Sequence, residues 1–261
     1  MRRIARLVMG LALVAALMVQ AAYAADSVSA VKLNQVQQRN ADLTMYVSLS
    51  DAGGAPVAGD FTPDQFSIAV DGRALDVDSV QAYDPQTQGI HYVFSVDVSK
   101  SLDEEMMQNI RAAMYEFVDN LGPNDLVSII TFGEVITPRI LTSNDSAAIR
   151  AAIDGIQRDE DKTALYKGVI DAVEIAASQG GRSSVIVITD GENDATEEMK
   201  SYTMESIYDS VNSAQVPLYC LGLNDKNGVD AQSLLELANV TGGKQYVLKA
   251  EAVDSALQNV R

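Results

Sequence analysis

Two hydrophobic periodicities divide the chain. From Asp26 to Gly89, short β-branched and alternating runs are punctuated by turn signals, and Val31–Val36, Leu43–Leu49, Phe66–Val70 and Leu75–Val80 read as strands. Asp71-Gly72, between the last two, is a two-residue hairpin signal, because both residues tolerate the positive φ of a type I′ turn. Asp51-Ala52-Gly53-Gly54-Ala55-Pro56 reads as a loop. A segment of about 60 residues makes a marginal core alone. The expectation over 26–89 is therefore a small antiparallel, sandwich-like β unit.

After Asp84–Gly89 the period changes. Tyr92–Val96, Leu126–Phe132, Val135–Leu141, Val185–Thr189, Pro217–Leu221 and Gln245–Leu248 are apolar runs of strand length. Between them lie helical patterns at 103–121, 146–156, 164–177, 203–214 and 231–240, with a last one from about Glu251. In the first, Met106, Ile110, Met114, Phe117 and Leu121 recur every three or four residues, as on the buried stripe of an amphipathic helix. Continuous apolar strands alternating with helices imply a mostly parallel, doubly wound sheet covered on both faces. Only Gly133-Glu134 separates Leu126–Phe132 from Val135–Leu141, too few residues for a crossover, so one of the pair must be an antiparallel edge strand. The fold class expected is α/β with a small all-β unit in front. The α/β domain spans 90–261 and stops without a C-cap signal, which reads as truncation at its last helix.

Residues 1–24 have the make-up of a signal peptide. Basic Arg2, Arg3 and Arg6 precede the apolar run Leu7–Val19, and Ala22-Tyr23-Ala24 supplies a small-x-small cleavage site. An apolar run of about 13 residues is short of the roughly 20 needed to span a bilayer. Export to the periplasm, the cell surface or the medium follows, with membrane association left open. The net charge of −17, or −20 without the three leader arginines, makes nucleic acid a poor partner. The single cysteine, Cys220, allows no internal disulfide and sits in an apolar run, as a packed strand residue would.

Candidate chemistry gathers in three stretches. Asp97, Ser99 and Ser101 follow the first apolar strand; Thr163 precedes a helix; Asp190 follows Val185–Thr189. In a parallel sheet both aspartates fall at the carboxyl edge, where open α/β folds bind ligands. Carboxylates and hydroxyls without a thiol or imidazole suit a hard cation. Each residue also has a structural reading. Ser101 with Glu104 has the spacing of a capping box, Thr163 could cap its helix, and Asp190-Gly191 is a common turn pair; Ser99 has no such alternative.

Asp-x-Ser-x-Ser, a separate Thr and a Thr-Asp-Gly in this order resemble the metal-ion-dependent adhesion site of von Willebrand factor A domains, including integrin I domains. The likeness covers Ile90–Arg261 and points to a bacterial secreted member. It implies that Ser99, Ser101 and Thr163 offer hydroxyls to a divalent ion, that Asp97 and Asp190 bind it directly or through water, and that a Glu or Asp of a protein partner completes the shell. Mg²⁺ is the first expectation, with Mn²⁺ or Ca²⁺ as alternatives. In integrin β-subunit domains acidic residues after the second serine support an adjacent ion, and Glu104 and Glu105 stand at comparable positions, although carboxylates in a first helical turn are favoured by the helix dipole in any case. Glu192-Asn193-Asp194 reads as a solvated rim.

Enzyme readings fare less well. A metal-dependent phosphohydrolase with Asp97 as nucleophile would want a carboxylate where Ser99 stands. No Gly-x-Ser-x-Gly is present, and the only histidine, His91, lies at the far end of its strand from Asp97. Gly180-Gly181-Arg182-Ser183-Ser184 lacks the ending of a phosphate-binding loop and precedes a strand. The reading is a non-catalytic, metal-dependent protein-binding module, with a phosphohydrolase or a purely structural α/β module as alternatives.

Overall fold

A computed structural model describes residues 15–19, 28–39, 42–70, 72–223, 231–241, 243–248 and 253–258. The cleavage motif Ala22-Tyr23-Ala24, Asp71 of the hairpin signal, and Glu251 at the expected start of the last helix lie outside them. The chain divides into two compact units, one drawn from Met1–Leu33 and Val47–Tyr83, the other from Asn34–Tyr46 and Asp84–Arg261.

In the first unit, β1 (Ala15–Val19), β4 (Phe66–Val70) and β5 (Arg73–Leu75) form an antiparallel sheet in the order β1-β4-β5. Thus Ala15–Val19, within the apolar run read as a leader, forms a strand along β4. β5 starts earlier and ends sooner than Leu75–Val80. Val70 pairs with Arg73 across a two-residue turn in which Gly72 has φ +75°, so the turn sets where the strand begins.

β2 (Ala30–Arg39) and β3 (Asp42–Ser50) pair as two long strands. Their Asn34–Tyr46 end belongs to the same compact unit as Asp84–Arg261. Gln35 is buried, accepts from the Ser183 amide at 3.1 Å and donates to the Ser183 hydroxyl at 3.3 Å.

Among the described residues the central sheet of the α/β unit has six strands: β6 (Ile90–Asp97), β7 (Leu126–Phe132), β8 (Ile136–Ser143), β9 (Arg182–Thr189), β10 (Leu218–Leu223) and β11 (Lys244–Leu248). Their order is β11-β10-β9-β6-β7-β8, parallel throughout except that β8 runs antiparallel to β7 at the edge, as the two-residue gap requires. All eight residues of β6 are buried, which is why its sequence shows no alternation.

One face carries α1 (Glu104–Asp119), α2 (Ser146–Asp154) and α6 (Val253–Gln258); the other carries α3 (Leu165–Ser178), α4 (Met204–Ala214) and α5 (Ala231–Val240). Met106, Ile110, Met114 and Phe117 of α1 are buried as their spacing predicts. Phe117 meets Tyr92 and Phe94 edge-to-face, with centroids 4.9 and 5.1 Å away. Burial of a side chain of this size contributes about 1.5–3 kcal/mol. Cys220 is buried in β10, and burial pushes its thiol well above the ordinary range. No helix among the described residues is long and apolar enough to cross a membrane.

Candidate metal centre at the carboxyl edge of the sheet

β6 lies between β7 and β9, so the chain leaves it in one direction and returns on the other side, and a crevice opens where the two loops part. Asp97, the last residue of β6, is fully buried there. Its Oδ1 accepts from the Ser99 amide at 2.9 Å, and its Oδ2 accepts from the Thr189 hydroxyl at 2.7 Å. Burial pushes the carboxyl up to about 7; the bonds from Ser99 and Thr189 act against the rise, and the neighbouring Asp190 charge adds to it.

Ser99 is buried and its hydroxyl lies 2.8 Å from that of Ser101. The capping-box reading of Ser101 does not hold. Asp103 is the N-cap of α1 and accepts from the Met106 amide at 2.8 Å, a role that a carboxylate next to the first turn fills as well as a serine two residues earlier. Glu104 is drawn instead to Arg111, at 3.0 Å, and more loosely to Arg158, at 3.8 Å, while Glu105 is exposed on the helix. This favours the helix-terminus reading of both glutamates over support for an adjacent ion.

Thr163 is buried too, and is not the cap of α3. The N-cap is Ala164, which makes no side-chain capping bond. The Thr163 amide donates to the Asp194 carbonyl at 3.0 Å, tying this loop to the one after β9. Asp190 is 4% exposed, and its Oδ1 accepts from the Glu192 amide at 3.0 Å. Gly191, with φ +92°, makes the turn that a side chain there would strain. Glu192 and Asp194 are exposed, as a rim should be, and Asp194 pairs with Lys162 at 2.7 Å. His91 is remote from this edge. It is buried at the start of β6 with Nε2 2.8 Å from the Ser128 hydroxyl, and burial lowers its pKa to about 4.

Hydrogen bonds and charge coupling thus bring Asp97, Ser99, Ser101 and Asp190 to one edge, and Thr163 is held to the same edge through the backbone of two loops. Among the described residues no group of three His, Cys, Asp or Glu side chains is placed to hold a metal. The donors here are two carboxylates and three hydroxyls, all oxygen, which fit a hard cation and would suit a thiophilic metal poorly. Thr189 belongs to the Thr-Asp-Gly triplet, but the sequence alone assigns it no role. Its hydroxyl donates to Asp97 and accepts from the Gly191 amide at 3.1 Å, so one buried side chain orients both carboxylate-bearing loops. Its place in the Thr189-Asp190-Gly191 triplet is the available signal.

Comparison with known proteins bears on the fold and the family. A family model described as von Willebrand factor type A domain matches residues 93–261. A comparison with curated proteins gives no match. Among solved structures, the conserved hypothetical protein BatB from Bacteroides thetaiotaomicron is 17% identical with a TM-score of 0.54, covering 66% of this chain and 98% of its own. A von Willebrand factor type A protein from Catenulispora acidiphila is 14% identical with a TM-score of 0.58, over 90% of this chain and 50% of its own. Proximal thread matrix protein 1 from the mussel byssus, with a zinc-occupied MIDAS motif, is 16% identical with a TM-score of 0.54, over 66% of this chain and 47% of its own. At these identities the structures speak for the fold alone. Sheet order, edge hairpin and a family match over most of its length together establish that this chain belongs to the von Willebrand factor type A domain family.

Proposed function

We propose that the α/β unit is a divalent-metal-dependent protein-binding module in which Asp97, Ser99, Ser101, Thr163 and Asp190 hold one ion and a partner's Asp or Glu completes its shell. The observation that carries this reading is the meeting of a fully buried carboxylate, two hydroxyls 2.8 Å apart and a second buried carboxylate at the sheet's switch point. Mg²⁺ suits the set best, with Mn²⁺ or Ca²⁺ as alternatives. Neutral hydroxyls leave such an ion much of its positive charge, which favours an anionic oxygen from outside. The zinc-occupied MIDAS motif of the mussel protein supports a divalent ion at this place in the fold.

The role of this module is binding, without turnover. A phosphohydrolase using Asp97 finds little support, since Ser99 stands where a second carboxylate would be needed. The leader pattern of residues 1–24 supports export with cleavage after Ala24, which would remove β1 and leave β4 paired with β5. The test is partner capture by the full chain with Mg²⁺, with chelator, and with Ser99→Ala. Capture is expected only in the first; capture indifferent to all three contradicts the proposal.

A further inference from the structure

The turn between β7 and β8 touches the candidate site although it carries none of its proposed ligands. Gly133, immediately after β7, lies so close to the loop bearing Thr163 that a Cβ added there would fall 2.3 Å from Glu160 Cβ and 2.4 Å from its Cγ. The Gly133 carbonyl accepts from the Ala164 amide at 2.8 Å, and the Glu134 amide donates to Glu160 Oε2 at 3.2 Å. The turn therefore grips the loop on both sides of Thr163.

Glu160 in turn is paired with the serine loop. Its carbonyl accepts from the Lys100 amide at 2.9 Å, its amide donates to the Val98 carbonyl at 3.3 Å, and Ser99 and Glu160 form a parallel bridge. Each contact is a backbone contact, so the spacing between Ser99 and Thr163 follows from how near Glu160 can approach β7. Gly133 does not have a positive φ, so its lack of a side chain answers to space rather than to backbone conformation.

We infer that Gly133 and Glu160 are a positioning pair that sets the distance between the serine loop and Thr163, and through it the affinity of the site for its ion. This rests on the metal-binding reading proposed above. Alanine at 133 must push Glu160 outward and so disturb the spacing between Ser99 and Thr163. Glycine at 160 removes the atoms that collide and restores the approach.

The experiment is a double-mutant cycle on the full chain, Gly133→Ala, Glu160→Gly and the pair. Mg²⁺ affinity is read by calorimetry, and exchange of the Lys100, Glu160 and Ala164 amides is read in the metal-free protein. Gly133→Ala is expected to weaken Mg²⁺ about 10- to 100-fold, as disturbed supporting contacts do, and to speed exchange at these amides, with both effects largely reversed in the pair. Wild-type affinity in Gly133→Ala overturns the inference, as does a pair as weak as the single variant. Should Gly133→Ala fail to fold, the pair carries the test: folded with near wild-type affinity supports the inference, and unfolded or weak overturns it. A wild-type chain that binds no Mg²⁺ contradicts the metal reading itself, an outcome distinct from a variant that binds as well as wild type.

Discussion

The two ends of one sheet bury polar side chains to different ends. At the amino edge of β6 and β7, Asp125 is buried with each carboxylate oxygen taking a backbone amide, Ile90 and Gly122, both at 2.8 Å. Beside it His91 meets Ser128, and Ser128 accepts from the Thr142 amide at 2.9 Å, where Thr142 sits at φ +51°. Asp125 and Ser128 are answered by the fold's own backbone donors and hold strands in register, while His91 Nδ1 is buried without a partner. At the carboxyl edge, Asp97 and Asp190 also accept backbone amides, but the two carboxylates are neighbours, so like charge adds to burial in pushing Asp97 up to about 7, and the Ser99 and Ser101 hydroxyls lie 2.8 Å apart. A lone buried carboxylate with both oxygens on backbone amides supports the fold, whereas two neighbouring buried carboxylates with hydroxyls beside them favour a cation.

The difference can be broken most forcefully at Asp125. Asp125→Ala leaves two backbone amides without their charged acceptor and is expected to cost about 3 kcal/mol or more in chemical denaturation. Asp97→Asn should cost far less and abolish Mg²⁺ binding in calorimetry. Equal destabilisation by the two would make the carboxyl edge structural as well.

Acidification sharpens the contrast, because the two edges respond with opposite sign. His91, with its pKa lowered to about 4, contributes stability present above pH 6.5 that is lost as pH falls towards 4, since the unfolded chain takes up the proton first. Asp97, raised from 3.8 to about 7, works the other way in metal-free protein: stability is greatest below about pH 4 and is lost as pH rises through 7. Each effect is at most about 3–4 kcal/mol. In chelator the two should nearly cancel between pH 4 and 6.5. Denaturation of Asp97→Asn should then reveal the fall with acid, and of His91→Gln the rise.

Smaller effects belong to supporting residues. Thr189→Val keeps the shape and removes the hydroxyl that orients both carboxylate loops, so Mg²⁺ affinity should drop about tenfold or more, with Thr189→Ser restoring most of it. Asp161→Asn breaks an exposed pair with Lys100 at 2.8 Å and should change stability by less than about 1 kcal/mol.

The architecture was legible where burial leaves a one-dimensional trace. β6 and β9 read as strands because they are buried on both faces, and the hairpin at the sheet edge followed from the two residues between β7 and β8. Proposed ligands could be found because a strand end and a short motif place them together. What supports them left no such trace. Asp103 and Ser101 compete for one cap, and only the path of the loop decides between them. Gly133 meets Glu160 across 27 positions of sequence, Asp97 meets Thr189 across 92, and Gln35 meets Ser183 across 148. Nothing local marks such pairs.

The most direct test is calorimetric titration of Mg²⁺ into chelator-treated full chain, wild type against Ser99→Ala. Ser99 has a hydroxyl with no capping role, and its substitution leaves the fold's apolar layers untouched. One ion bound per wild-type chain, with binding lost in Ser99→Ala at equal folded fraction, is the expected result. No binding by wild type, or an unchanged titration in Ser99→Ala, would contradict the account.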